Sequence, residues 1–364
     1  MRAAAVEAMM PFFSERFANP SGSHRFARDA RRAIDEARDQ VAGVLGVQPG
    51  EVVFTGCGTE ADNAAVTGAL AGLGGDAICS AAEHHAVLHP VQTANGIVVG
   101  VDRVGHVDLD QLEQSLSGET RIVSIMAVNN EVGTVTDLAA VSKLVRRAAP
   151  QALLHSDAVQ APCWIDLRTI APLVDMMSLS AHKFGGPKGV GVLTIRDGVK
   201  LAPQMLGGGQ ERERRSGTHN VAGIVALAVA LSATDDERDI ENDRLRRLRD
   251  QLVDAVVRGL DGVLETVPRN RKVAGSAHIC IEGIESESLL FLLDEAELCA
   301  SAASACASGA MEPSHVLAAM GVDRSLAGGA LRISLGHTTT AADVERAIEV
   351  VSNSVRRLRR VRVG

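Results

Sequence analysis

Tyrosine is absent from this 364-residue chain, tryptophan occurs once, and aromatic residues make up only 2% of it. With so few rings there is no platform on which single-stranded bases could stack. An excess of basic charge is missing too: 37 Lys+Arg stand against 45 Asp+Glu, a net charge of -8. Nucleic-acid binders usually show a basic patch or stripe, and the one basic cluster here, Arg356, Arg357, Arg359, Arg360 and Arg362, reads as the solvated face of a closing helix. No apolar run reaches the roughly 18 residues of a membrane span. The opening MRAAAVEAMMPFFSERF holds Glu7, Pro11 and no clean small-residue cleavage site, unlike a secretory leader. The six cysteines, at 57, 79, 163, 280, 299 and 306, form neither a dense disulfide framework nor a CxxC or Cys/His metal pattern. Together these absences point to a reduced, cytoplasmic protein with no membrane, nucleic-acid or metal partner.

What is present is ordinary globular material, 46% apolar and 23% charged. Domains of about 100–200 residues make two the natural count. From residue 26 onward, helical and strand patterns alternate. RFARDARRAIDEARDQVAGVLG has helical spacing and a closing Gly. EVVFT, DAICS, GIVVGV, TRIVSIMAV, ALLHSD and VDMMSLS are short apolar runs, several of them separated by helical stretches such as DLAAVSKLVRRAA. That alternation predicts an α/β domain with a largely parallel sheet, and strands without polar alternation fit a sheet covered on both faces. A long charged helix over SATDDERDIENDRLRRLRDQLVDAVVRGL then leads to HICIEGI, ESLLFLLDEA, a Ser/Ala-rich stretch, LRISLG and a terminal helix. This second part reads as a smaller α+β domain.

Four segments carry chemistry. In Ser180-Ala181-His182-Lys183-Phe184-Gly185-Gly186, a lysine after a strand, among Gly, Ser and His, suits a carbonyl cofactor held through its amine. In His155-Ser156-Asp157-Ala158-Val159-Gln160, the carboxylate at a strand end suits the pyridinium nitrogen of such a cofactor, and Gln160 could reach a ring hydroxyl. Thr55-Gly56-Cys57-Gly58-Thr59-Glu60 turns from strand to helix and offers backbone N–H groups, with the Thr59 hydroxyl, to a phosphate. In Ser301-Ala302-Ala303-Ser304-Ala305-Cys306-Ala307-Ser308-Gly309, small residues flank a cysteine and would let a loop carry a thiolate to a substrate. Taken singly, each has an ordinary reading: a glycine-loop lysine, a turn aspartate, a helix cap, an inert cysteine. Their joint occurrence in this order shifts the balance.

In that order the sequence resembles the cysteine desulfurases, the NifS/IscS branch of the class V aminotransferase-like enzymes, from FANPSGSHRFA to LRISLGHTTT. The resemblance is carried by VVFTGCGTEADN, AAEHHAVL, VNNEVGT, HSDAVQ, LSAHKFGGPKGVG, GGGQERERRSGTHN, SAASACASGAMEPSHV and LRISLG. It implies a fold-type I enzyme dependent on pyridoxal 5'-phosphate, with a mainly parallel seven-stranded sheet in the large domain. The expected division is an arm over residues 1–25 packing with the small domain, a large domain over 26–234, and a small domain over 235–364 carrying the Cys306 loop. By resemblance, Lys183 holds the cofactor, Asp157 faces the ring nitrogen, His84 stacks on the ring and trades protons with substrate, and Gln160 contacts the ring hydroxyl. Gly58, Thr59, Ser180 and His182 bind the phosphate, and Thr218 does so from the partner subunit of a homodimer. Asn130 lies beside ring and substrate, Arg332 grips the carboxylate of L-cysteine, and Cys306 takes the sulfur as a persulfide destined for an acceptor protein. Members usually open with a stretch like YLDNAATTP, whereas this sequence opens at MRAAAVEAMMPFF; where that stretch is lacking, the resemblance implies an intact fold and cofactor site and lowered turnover. Two other readings stay open: a selenocysteine or C–S lyase on the same scaffold, and a non-catalytic adaptor in a sulfur-relay complex.

Overall fold

The structure, a computed structural model, describes residues 1–302 and 314–363. It divides into two compact units: Met1–Val99, Leu109–Ala127 and Asp137–Arg238 form the first, and Gly100–Asp108, Val128–Thr136 and Asp239–Gly364 form the second. Among the described residues no helix is long and apolar enough to cross a membrane.

The first unit is built on seven strands: β1 (Val52–Thr55), β2 (Asp76–Ser80), β3 (Ile97–Val99), β4 (Thr120–Ser124), β5 (Leu153–Asp157), β6 (Met176–Ser180) and β7 (Gly191–Ile195). Their order is β1-β7-β6-β5-β4-β2-β3. Pairings among β2 to β6 are parallel, and β7 runs antiparallel to both β1 and β6. The expected mainly parallel sheet is therefore present. Strands β6 and β7 are buried along their whole length, as sheets sandwiched by helices require. The helix Gly58–Leu73 lies against this sheet, and its Ala61, Ala65, Val66 and Ala69 are buried with Val53, Ile122, Met176, Leu193 and Ile195. Small alanines let helix and sheet approach closely. The helix Arg25–Leu45 follows its predicted pattern, capped by the His24 ring at Ala27 N and stopped by Gly46 at φ 70°, a left-handed position that favours glycine.

The second unit carries an antiparallel sheet of β8 (Val263–Glu265), β9 (Ser276–Ile281) and β10 (Ala330–Ser334), in the order β10-β9-β8. The helices Ser286–Glu295 and Ala341–Val363 pack together within it. The long helix predicted from residue 232 starts earlier, at Val221, and runs to Gly259.

The units differ from the expected division in two places. Residues 1–25 belong with the first unit: Arg2 N donates to Gly185 O at 2.8 Å, and the Arg2 guanidinium pairs with Glu237 at 2.6 Å. The second unit also takes two excursions from the large-domain sequence, residues 100–108 and 128–136. Their hydrogen-bonding groups are satisfied there: the Thr134 hydroxyl bonds Val104 O, Val128 bridges Val135, and Thr134 bridges Lys272.

Candidate active site

Parallel strands present their C-terminal ends along one edge, which is where open α/β sheets bind ligands. Strand β1 has the same direction as β6, because both run antiparallel to β7. Four predicted segments therefore issue from one edge: Gly58 and Thr59 after β1, His84 after β2, Asp157 at the end of β5, and Ser180 at the end of β6 with His182 and Lys183 after it. Register tightens the arrangement. Thr55 and Ser180 both face Gly191, and Asp157 faces Ser178.

Gly58 begins a 16-residue helix whose cap is Cys57, its sulfur accepting from Glu60 N at 3.4 Å. A Cβ on Gly58 would stand 2.7 Å from Val159 Cγ2 and 3.2 Å from Ser180 Cβ. Only glycine lets the positive helix start come this close to the ends of β5 and β6. Ser180 Oγ lies 3.0 Å from His182 Nδ1. Burial, Lys183 and Lys188 lower the His182 pKa. Hydroxyl, imidazole and backbone donors thus gather at the helix start, the donor set a phosphate dianion needs.

Asp157 is 5% exposed and its Oδ1 accepts from Val159 N at 2.9 Å. Burial pushes its pKa up to about 6, against the pull of that hydrogen bond and of the Lys183 charge. A cation brought against this carboxylate would relieve the penalty of burying it. His84 caps the helix His85–Thr93, its Nδ1 accepting from Ala86 N at 3.1 Å, so the neutral ring carries its proton on Nε2. Gln160, half-buried, follows Asp157 on the same loop, while Lys183, His182 and Thr59 are exposed at the rim. A glycine cradle at a helix start, a buried carboxylate under electrostatic pull from a lysine, and a serine–histidine pair fit pyridoxal phosphate.

Thr218 is exposed on the loop ahead of the long helix. Arg215 fastens that loop to the turn after β1: its Nε donates to Glu60 Oε1 at 2.7 Å, and Glu60 Oε2 accepts from Gly56 N at 2.7 Å. Two residues predicted for the site, Asn130 and Arg332, belong to the second unit. Arg332, on β10, donates from Nη1 to Asn130 O at 2.7 Å, so the structure brings Asn130 and Arg332 together. Cys306 lies outside the described residues.

Residues 2–347 match the family described as Aminotransferase class-V. The chain belongs to that family. Its enzymes use pyridoxal phosphate, in keeping with the donor set above. The chain is 39% identical to a protein named "Cysteine desulfurase IscS" from Dictyoglomus turgidum, over 99% of this chain and 93% of that one. It is 40% identical to a protein of the same name from Methanosarcina thermophila, over 99% and 90%. A solved structure titled "NIFS-LIKE PROTEIN" superposes with a TM-score of 0.91 at 34% identity, covering 98% of this chain and 96% of that one.

A second layer lies behind Asp157 that motif reading passed over. His155 is fully buried, with Ser124 Oγ 2.8 Å from Nδ1 and Ser178 Oγ 2.8 Å from Nε2. Asp62 Oδ1 stands 3.7 Å from the same Nε2. Glu83 accepts from Ser80 Oγ at 2.8 Å and Met126 N at 2.9 Å. Burial pushes Glu83 up to about 8 and raises Asp62, which Asp157 raises further, while burial lowers His155 to about 3. The signal was available in the sequence as charged residues inside quoted motifs: Asp62 in TEADN, Glu83 in AAEHH, His155 in HSDAVQ.

Proposed function

We propose that this protein is a cysteine desulfurase: it takes the sulfur of L-cysteine onto Cys306 as a persulfide, releases L-alanine, and hands the sulfur to an acceptor protein. The observation that carries the reading is the meeting of Asp157, within the field of Lys183, with the Gly58–Ser180 cradle at one sheet edge. Pyridoxal phosphate, when bound, supplies an electron-withdrawing ring conjugated to the substrate α-carbon.

Lys183 would hold that group covalently through its amine. The Asp157 carboxylate keeps the ring nitrogen protonated, and Gln160 contacts the ring hydroxyl. Gly58, Thr59, Ser180 and His182 bind the phosphate, with Thr218 reaching it from the partner subunit of a homodimer. Arg332 receives the substrate carboxylate, a task its planar fork suits, and Asn130 lies beside the reacting centre. His84 would lie against the ring and move a proton at the substrate thiol through Nε2. The Cys306 thiolate attacks the substrate sulfur. An S–S bond forms as the C–S bond breaks, and the released electron pair stays on the substrate β-carbon, which takes a proton and becomes the alanine methyl group.

The test begins with Lys183→Ala. The wild-type protein, treated with borohydride, should retain the cofactor covalently at Lys183 and lose its visible absorption band, and the Ala variant should retain nothing. A reduced adduct on another lysine would overturn the assignment. Assays with cysteine, selenocysteine and cystine side by side separate desulfuration from the two lyase activities.

A further inference from the structure

Strand β9 pairs with β10 so that His278 stands directly opposite Arg332. Residues facing each other across an antiparallel pair share one side of the sheet, with Cβ atoms about 4.5–5.5 Å apart. The His278 ring is fully buried and held at one nitrogen, Nδ1 lying 2.6 Å from Thr266 Oγ1. Its Nε2 is buried with no hydrogen-bond partner among the described residues. An imidazole left half-satisfied in a core costs free energy that a leucine at the same place would not.

The surroundings are cationic. Lys272, its side chain wholly buried, pairs with Glu265 at 2.7 Å, and Lys272 and Arg332 both act on His278. Burial, with these two cations, takes the ring down to about 3, so it is neutral at any working pH. Arg332 is fastened from other directions. Its backbone exchanges two hydrogen bonds with Ser301, at 3.1 and 2.7 Å, and Asn130 O takes one donor of its guanidinium. The Glu131 carboxylate also lies within its field.

Few side chains could occupy position 278 beside a guanidinium whose task is to receive a carboxylate. An acid would pair with Arg332 and compete with the substrate, and a second permanent cation would add repulsion. A neutral polar ring can orient the guanidinium without occupying it. We infer that His278 is a positioning residue for Arg332, holding the guanidinium in the orientation that accepts the substrate carboxylate. The inference rests on the proposed role of Arg332.

The experiment uses full-length, cofactor-loaded protein and the variants His278→Leu, His278→Asn and Arg332→Ala. His278→Leu should raise KM for cysteine about 5- to 10-fold, the scale of one modest polar interaction, with kcat within about 2-fold. His278→Asn, which keeps a neutral polar group, should restore most of the loss. Inhibition by cysteamine, which has the amine and thiol of cysteine and no carboxylate, should be the same in His278→Leu as in the wild type. An unchanged KM, a KM rise that Asn does not rescue, or an equal loss with cysteamine would overturn the inference and leave His278 as core packing. If Arg332→Ala itself fails to raise KM for cysteine, the reading of Arg332 fails, and the inference falls with it.

Discussion

At the strand ends of the first unit, Asp62, Glu83 and Asp157 are buried together, and the charge on Asp157 raises both of the others. Beside β9 of the second unit the charges that act on buried His278 are cations: Lys272, itself paired with Glu265, and half-buried Arg332, and with burial they keep the histidine neutral. The overall charge of -8 hides this separation. Burying like charges together is costly, and such clusters gather at functional sites. The two signs match the two ligands proposed for Asp157 and Arg332, a ring nitrogen kept protonated and a substrate carboxylate. On the proposed roles of Asp157 and Arg332, the first unit would hold a cation and the second an anion.

Removing one charge from each side should produce two distinct defects. Asp157→Asn should cut kcat by about 10²- to 10³-fold, the loss typical of a preorganised electrostatic group, and shift the absorption spectrum of the bound cofactor. Arg332→Ala should lower kcat/KM by about 10²-fold, the scale of truncating one partner of a charge pair, mostly through KM and with an unaltered spectrum. If both variants moved KM alone, the division of labour between the units would collapse.

A smaller effect sharpens the acidic half. The Glu83 pKa is raised by burial from 4.5 to about 8. Its contribution to stability is therefore complete below the unfolded value of 4.5 and is lost as pH rises through about 8. Glu83→Gln keeps the hydrogen-bonding shape without the charge. It should flatten the fall in Tm of the cofactor-free protein between pH 5 and pH 9, recovering about 2–4 °C at the alkaline end. Glu211 makes the contrast. Burial pushes it up, but hydrogen bonds from His219 and Arg38 outweigh that and hold it at about 2, so its contribution is lost at the acid end instead. Parallel Tm profiles for wild type and Glu83→Gln would show that the Glu83 carboxyl is not the group that titrates.

Much of this was legible before any coordinates. Six of the seven strands of the first unit fall on the apolar runs EVVFT, DAICS, GIVVGV, TRIVSIMAV, ALLHSD and VDMMSLS, because a doubly covered sheet writes itself as short apolar blocks. The seventh, GVLTI, escaped because it returns antiparallel soon after the Lys183 turn, with only a three-residue 3-10 helix between. Site residues at strand ends were legible because glycine, lysine and aspartate punctuate those ends. The polar layer behind them was not. Ser124, His155 and Ser178 meet only through register across three strands, and Asp62 joins them from a helix that begins after β1. The same holds for His278 and Arg332, 54 positions apart in the sequence and opposed only by the pairing of β9 with β10. The excursions at residues 100–108 and 128–136 were hidden because chain continuity says nothing about which sheet a loop's hydrogen bonds complete.

Whether Cys306 takes the sulfur is tested most directly by Cys306→Ser. At neutral pH serine stays protonated and is a far weaker nucleophile than a thiolate. Wild type and variant, both loaded with cofactor, would be mixed with cysteine, alanine release followed in time, and the protein mass read for an added sulfur atom. The variant should bind cofactor and cysteine with normal spectra, release almost no alanine, and gain no sulfur at position 306. Alanine release at the wild-type rate from the serine variant would contradict that role for Cys306.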